Sequence, residues 1–203
     1  MENSYFLTHN ETLNIETALS KTDGVIAFPT DTVYGLGCLI ENEDAVKKIY
    51  SLKGRSSEKP LILMGSSVEV FEKYVKFIPE IANTLMKKHW PGALTIVLPK
   101  SRFVPDFITT NTSTVGLRIA NHPLVNEILK RCTKDLILAT TSANYSDQPD
   151  LVTYEDVKKL LGEKVDYLLE DYNIPISGKA STVIAINQDN SIKVLRQGSI
   201  VID

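Results

Sequence analysis

The chain has 203 residues, 43% of them hydrophobic and 23% charged, with 10 glycines and 9 prolines spread along it. That composition excludes a disordered or fibrous chain, and the length is expected to form one domain over 1–203. A formal net charge of −3 excludes the overall basic field of a dedicated nucleic-acid binder, so any RNA contact would be local.

From Gly24 to Pro29 a short apolar run reads as a buried strand that empties into a loop, Thr30 to Gly37. Asn42 is placed to cap a helix with Ala45, Val46, Ile49 and Leu52 on one face, running out at Lys53, Gly54 and Arg55. PLILM at 60–64 is a second buried strand. Ser66 and Glu69 have capping-box spacing, and Pro79 opens a further helix that ends near Trp90 and Gly92. Strands are expected at about 93–98 and 115–119, a helix from Pro123 to about Arg131, and a strand at 136–140. Thr153 with Asp156 starts a late helix containing Val157, Leu160 and Leu161. From Ser181 onward the alternation predicts two or three closing strands. Strands interleaved with helices predict an α/β fold, and the strand-rich tail makes its sheet mixed.

The longest apolar stretches, Pro60 to Gly65 and Ala93 to Pro99, fall well short of the ~20 residues that span a bilayer, so no membrane association is expected. The first residues, MENSYFLTHNETLN, lack the basic and apolar regions of a secretory signal, which makes the cytoplasm the expected location. Cys38 and Cys132 are too few for a disulfide framework and lack metal-ligand spacing; both are expected to be reduced core residues.

In such folds ligands bind at strand ends, so the residues just after each strand carry the information. In PTDTVYGLG (29–37), Thr30 and Thr32 offer hydroxyls, while Gly35 and Gly37 let the backbone approach a ligand; a bare turn would use the same residues. Lys53, Arg55 and Lys59 either neutralise a helix C-terminus or clamp a polyphosphate, with Arg as a fork and Lys as a point charge. Arg118 interrupts an apolar strand and needs an anionic partner, either a ligand carboxylate or an acidic side chain. Ser142 and Asn144, after the strand at 136–140, cap a turn or meet a ligand. Ser181, Thr182 and Arg196 repeat the theme. No phosphate loop, GxGxxG, HExxH, GxSxG or CxxC motif is present, and His9, His89 and His122 form no metal cluster. Such a set points to a site that positions and neutralises anions without a protein nucleophile.

PTDTVYGLG, the KxR of Lys53 and Arg55 followed by KPLILM, then WPGALTIVL, VGLRIANHP, TSAN, STV and LRQGSI occur in the order and spacing of one family. From about Gly24 to Ile200 the chain resembles the YrdC-domain threonylcarbamoyl-AMP synthases, TsaC-like, in their short form. The resemblance implies an open twisted mixed sheet flanked by helices, with a concave basic ligand-binding face. It assigns Thr32, Arg118, Thr140 and Ser181 to L-threonine. It assigns Arg55, Lys59, Thr114, Ser142, Asp150 and Arg196 to the nucleotide, Asp150 through its backbone. Lys53, Arg55, Ser142 and Asn144 match the family's catalytic tetrad.

The implied reaction condenses ATP, L-threonine and bicarbonate into threonylcarbamoyl-AMP and pyrophosphate, a nucleotidyl transfer that serves N6-threonylcarbamoyladenosine formation in tRNA. Mg²⁺ would be bound mainly through the ATP phosphates, with no protein-held metal. Downstream threonylcarbamoyl-transfer proteins are implied partners, and direct tRNA contact is left open. Met64 stands where longer members carry a histidine that touches threonine, whereas short bacterial members are apolar there. The chain stops at Asp203, soon after LRQG, and is expected to lack the linker and C-terminal domain of the longer form. Two rival readings are an RNA-binding module without chemistry and a carbamoyl-adenylate enzyme like the related domain in hydrogenase maturation, which would take carbamoyl phosphate instead.

Overall fold

A computed structural model describes residues 6–54, 59–146, 148–187 and 189–202. In chain order the elements are α1 (His9–Leu19), β1 (Ile26–Phe28), β2 (Gly35–Cys38), α2 (Glu43–Leu52), β3 (Ile62–Gly65), α3 (Val68–Glu72), α4 (Glu80–His89) and β4 (Leu94–Pro99). They continue with α5 (Asp106–Thr109), β5 (Thr114–Arg118), α6 (Pro123–Cys132), β6 (Ile137–Ser142), α7 (Tyr154–Leu161), β7 (Tyr167–Leu168), β8 (Thr182–Ile186) and β9 (Ile192–Arg196). The strands of the described residues join in one sheet, ordered β7-β1-β2-β6-β3-β5-β4-β8-β9. The pairs β1–β7, β3–β5 and β4–β8 are parallel and the others antiparallel, so the sheet is mixed as expected.

Side-chain alternation divides this sheet into two unlike faces. One face carries Leu36, Leu63, Ile96, Leu117, Ala139 and Ile184, and these pack with Val46 and Ile49 of α2, Phe71 of α3, Met86 of α4 and Val157 of α7. On the other face Ile26, Phe28, Met64 and Leu138 meet Ile15 and Leu19 of α1 and Leu124 and Ile128 of α6. Elsewhere on that second face the strands present Thr95, Thr114, Gly116 and Thr140, small or polar positions that line a hollow instead of accepting a helix.

Most helices begin where their caps were read. Asn42 Oδ1 accepts from the N–H of Ala45 and Thr153 Oγ1 from the N–H of Asp156, each satisfying a donor that the helix leaves free. Pro79 and His122 precede α4 and α6. Two readings need correction, and one helix went unread. The segment Gly35–Cys38 is a strand rather than the end of a loop, because a Cβ at Gly37 would stand 2.8 Å from the Phe28 ring, so the glycine serves sheet packing. The short α3 is capped by Ser67, not Ser66, and without a side-chain cap hydrogen bond. Finally, α1 is weakly amphipathic, yet Thr8 and Glu11 form a reciprocal capping box: Thr8 Oγ1 accepts from Glu11 N, and the Glu11 carboxylate accepts from Thr8 N at 2.7 Å.

Both cysteines are buried free thiols, and burial pushes Cys38 up to about 12 and Cys132 to about 11. Among the described residues no helix is long and apolar enough to cross a membrane.

Candidate functional site

The hollow is a cavity of about 500 Å³. It is floored by β3, β4, β5 and β6 and walled by the 30–34 loop, the end of α2, the 142–150 segment and the strands β8 and β9. From the residues assigned to threonine, Thr32, Arg118, Thr140 and Ser181 all line it. From those assigned to nucleotide or catalysis, Lys53, Lys59, Thr114, Ser142, Asn144, Asp150 and Arg196 line it as well. Arg55 lies outside the described residues.

Lys53, at the C-cap of α2, is only 4% exposed. A buried ammonium is tolerable when its donors are satisfied, and Nζ donates to the backbone carbonyl of Ser142, to that of Asn144 at 2.7 Å and to Asn144 Oδ1 at 3.1 Å. The Ser142 hydroxyl donates to the same Asn144 Oδ1 at 2.6 Å, and Asn144 Nδ2 donates to the Gln148 carbonyl at 2.6 Å. These bonds fix the turn that leaves β6 and aim it over the cavity.

Arg118, at the end of β5, is 5% exposed. Its acidic partner is Asp31: Nη2 donates to Asp31 Oδ1 at 2.6 Å, while Nε donates to the Gly92 carbonyl at 3.1 Å. Burial pulls the guanidinium below the ordinary arginine value; Asp31 opposes that pull and neighbouring Arg196 adds to it.

Arg196 donates from Nε and Nη2 to the Ser181 carbonyl, at 3.1 and 2.9 Å, and from Nη2 to Ser181 Oγ at 3.1 Å. Burial lowers its affinity for its proton, with Asp150 in opposition. Ser181 Oγ also pairs with Thr95 Oγ1 at 2.9 Å. The chain after Arg196 folds back onto β8 because Thr182 Oγ1 accepts from Gly198 N at 3.0 Å and Ile200 N at 3.1 Å. A Cβ at Gly198 would stand 2.3 Å from both the Ala180 carbonyl and the Thr182 nitrogen, so only glycine permits this approach.

Thr140 Oγ1 is buried and has no hydrogen-bond partner among the described residues, although its residue lines the cavity. A hydroxyl left unpaired in the interior costs free energy that a ligand can return.

Two site residues escaped the sequence reading. Thr95 is a polar residue in an apolar strand, the same signal that singled out Arg118; Asp31 sat inside the PTDT segment, between the threonines that drew notice. Among the described residues no group of three His, Cys, Asp or Glu could hold a metal. His122 is buried outside the cavity lining, and burial lowers its imidazole to about 4, so it stays neutral. The arrangement therefore offers cations and hydroxyls to an anionic, hydrogen-bonding ligand and, among the described residues, no protein nucleophile poised beside a base.

Comparison with known proteins agrees with this geometry. The Sua5/YciO/YrdC family model, described as "Telomere recombination", matches residues 18–198. The threonylcarbamoyl-AMP synthase of Bacillus subtilis is 39% identical over 184 residues, covering 90% of this chain and 52% of its own, so the chain spans about half the length of that relative. The threonylcarbamoyl-AMP synthase of Vibrio campbellii is 33% identical over 189 residues, covering 91% of this chain and 99% of its own. Among solved structures, Sua5 of P. abyssi complexed with L-threonine superposes with a TM-score of 0.83 at 36% identity, covering 93% of this chain and 55% of that one. With its mixed sheet, its cavity and these matches taken together, the chain belongs to the Sua5/YciO/YrdC family of proteins.

Proposed function

We propose that the chain is an L-threonylcarbamoyladenylate synthase, a nucleotidyltransferase that condenses ATP, L-threonine and bicarbonate for threonylcarbamoyladenosine formation in tRNA. One observation carries the reading: Arg118, Arg196, Lys59, Ser142 and the unpartnered Thr140 hydroxyl, far apart in the chain, line one cavity sized for a nucleotide and an amino acid. The names of the relatives and the threonine complex of the P. abyssi protein support it.

In this reading bicarbonate releases carbon dioxide and hydroxide, threonine's neutral amine adds to the carbon dioxide to form a carbamate, and the proton it gives up joins the hydroxide as water. A carbamate oxygen then attacks the α-phosphorus of ATP, the bond to the β-phosphate oxygen breaks, and pyrophosphate leaves. Because the carbamate is itself a nucleophile, the protein's share is positioning and charge stabilisation. Arg118 takes the threonine carboxylate, with Thr32, Thr140 and Ser181 supplying hydroxyls around the amino acid. Lys59, Arg196, Thr114, Ser142 and the Asp150 backbone hold the nucleotide, joined by Arg55. Lys53 and Asn144 keep the Ser142 turn over the phosphates.

Mg²⁺ on the phosphate oxygens would offset the charge that develops there. The residues present fit a metal that arrives with the nucleotide: Asp150, on the cavity lining, stands near Arg196, and Asp31, off the lining, is committed to Arg118. The proposal takes residues 1–203 as one domain acting in the cytoplasm, handing its product to threonylcarbamoyl-transfer proteins, with tRNA contact a local matter.

Incubation with ATP, Mg²⁺, L-threonine and labelled bicarbonate tests the reaction. Pyrophosphate and a labelled AMP adduct should appear only when every substrate is present. RNA binding that weakens steeply with salt, with no ATP-dependent product, would instead identify a binding module. Adduct formation from carbamoyl phosphate in place of threonine and bicarbonate would identify the carbamoyl-adenylate chemistry.

A further inference from the structure

Asp31 has no place in the reaction just described, yet among the described residues it is the carboxylate bonded to Arg118, one of the cavity's two deeply buried cations. Its side chain is 15% exposed and that of Arg118 is 6% exposed. Arg118 lines the cavity and Asp31 does not, so Asp31 is placed to act on a ligand through Arg118. We propose that Asp31 is a positioning residue for the amino-acid substrate: by fixing the Arg118 guanidinium, it sets which N–H edge faces the substrate carboxylate.

The geometry allots the guanidinium's donors. Nε is committed to the Gly92 carbonyl and one N–H of Nη2 to Asp31 Oδ1, and no described residue accepts from Nη1. Nη1 and the second N–H of Nη2 thus form the free edge, the paired donors that a carboxylate accepts in bidentate fashion. Both anchors are themselves held. The Asp31 carbonyl accepts from Ser177 N at 3.1 Å, the adjoining Thr32 carbonyl accepts from Gly178 N at 2.8 Å, and Gly92 N donates to the Ile119 carbonyl at 2.8 Å. A guanidinium fixed at two points on pinned backbone loses little freedom when the ligand arrives, which is how orientation becomes affinity. Asp31 also keeps the buried cation paired while the cavity is empty.

This inference rests on the proposed threonine site, and the test separates the two. Calorimetric titrations of the full chain with L-threonine, and separately with a non-hydrolysable ATP analogue, are compared for wild type, Asp31→Ala and Asp31→Asn. Asp31→Ala should weaken threonine at least tenfold while nucleotide affinity stays within twofold. Asp31→Asn keeps an acceptor oxygen for Nη2 and should weaken threonine by an intermediate factor, threefold or more; it serves alone should the alanine variant fail to fold. Smaller losses of threonine affinity, an asparagine variant as weak as alanine, or parallel loss of both ligands would overturn the inference, the last by showing that Asp31 only holds the fold. A wild-type chain that binds no threonine would overturn the proposed function itself, and this inference with it.

Discussion

At the scale of single residues, the buried hydroxyl of Thr140 separates stability from function. Its oxygen has no partner among the described residues, so Thr140→Val, which keeps the shape and removes the unsatisfied group, should leave the fold as stable or raise stability by about 1 kcal/mol. Threonine binding should meanwhile weaken about tenfold, since the hydroxyl's partner is supplied by the ligand. Paired chemical-denaturation and calorimetric measurements check both halves.

His122 makes a pH-dependent contribution of definite sign. Burial lowers its imidazole from 6.5 to about 4, so between those values the unfolded chain binds a proton that the folded chain excludes. Its contribution is complete above pH 6.5 and declines as the pH falls towards 4, amounting to a loss of about 2 kcal/mol by pH 4.5. Unfolding free energies measured across that window should fall less steeply in His122→Phe than in wild type; equal slopes would remove the residue from the account.

At the scale of elements, Asp166 gathers four segments. Its carboxylate accepts from Lys21 beyond α1 at 2.8 Å, from Lys48 of α2 at 2.7 Å and from Val25 N before β1 at 2.9 Å, just ahead of β7. Burial pushes this carboxyl up, but those hydrogen bonds outweigh it and hold it below the usual range. Asp166→Asn should cost about 2 kcal/mol of stability, with the kinetic constants of the folded protein unchanged, because the cluster lies apart from the cavity lining. In Gly198→Ala the added methyl collides with backbone at Ala180 and Thr182, so the fold-back must open and carry Arg196 away from Ser181. Nucleotide affinity should drop at least tenfold in that variant, more than threonine affinity; calorimetry on both ligands reads the difference.

The elements differed in how plainly the sequence announced them. α2, α4, α6 and α7 pair clear caps or prolines with an apolar stripe, so both their starts and their inward faces were legible. α1 buries only Ile15, Ala18 and Leu19, too few for a clear period, though its capping box stood in the open as Thr8 and Glu11. β2 was hidden because two of its four residues are glycine, which reads as turn until the ring of Phe28 is seen to occupy the space a side chain would need.

At the scale of the whole molecule, the site exists because one sheet face is served by helices at only one end. Strand alternation made the mixed α/β class legible, but face assignment depends on which strands neighbour one another, a matter of long-range pairing. Arg118 meets Asp31 across 87 positions and Thr95 meets Ser181 across 86, separations that no local pattern encodes. The motif order pointed to the loops that line the cavity, whereas Thr95 on its floor and Asp31 beside Arg118 became visible only when the strands were set side by side.

The most direct test of that convergence is an NMR titration of isotope-labelled protein with L-threonine and a non-hydrolysable ATP analogue together. Amide shifts should concentrate in the 30–35, 116–118, 140–144 and 180–183 segments, which line the one cavity. Shifts confined instead to helices of the opposite face, α3, α4 and α7, would contradict the account.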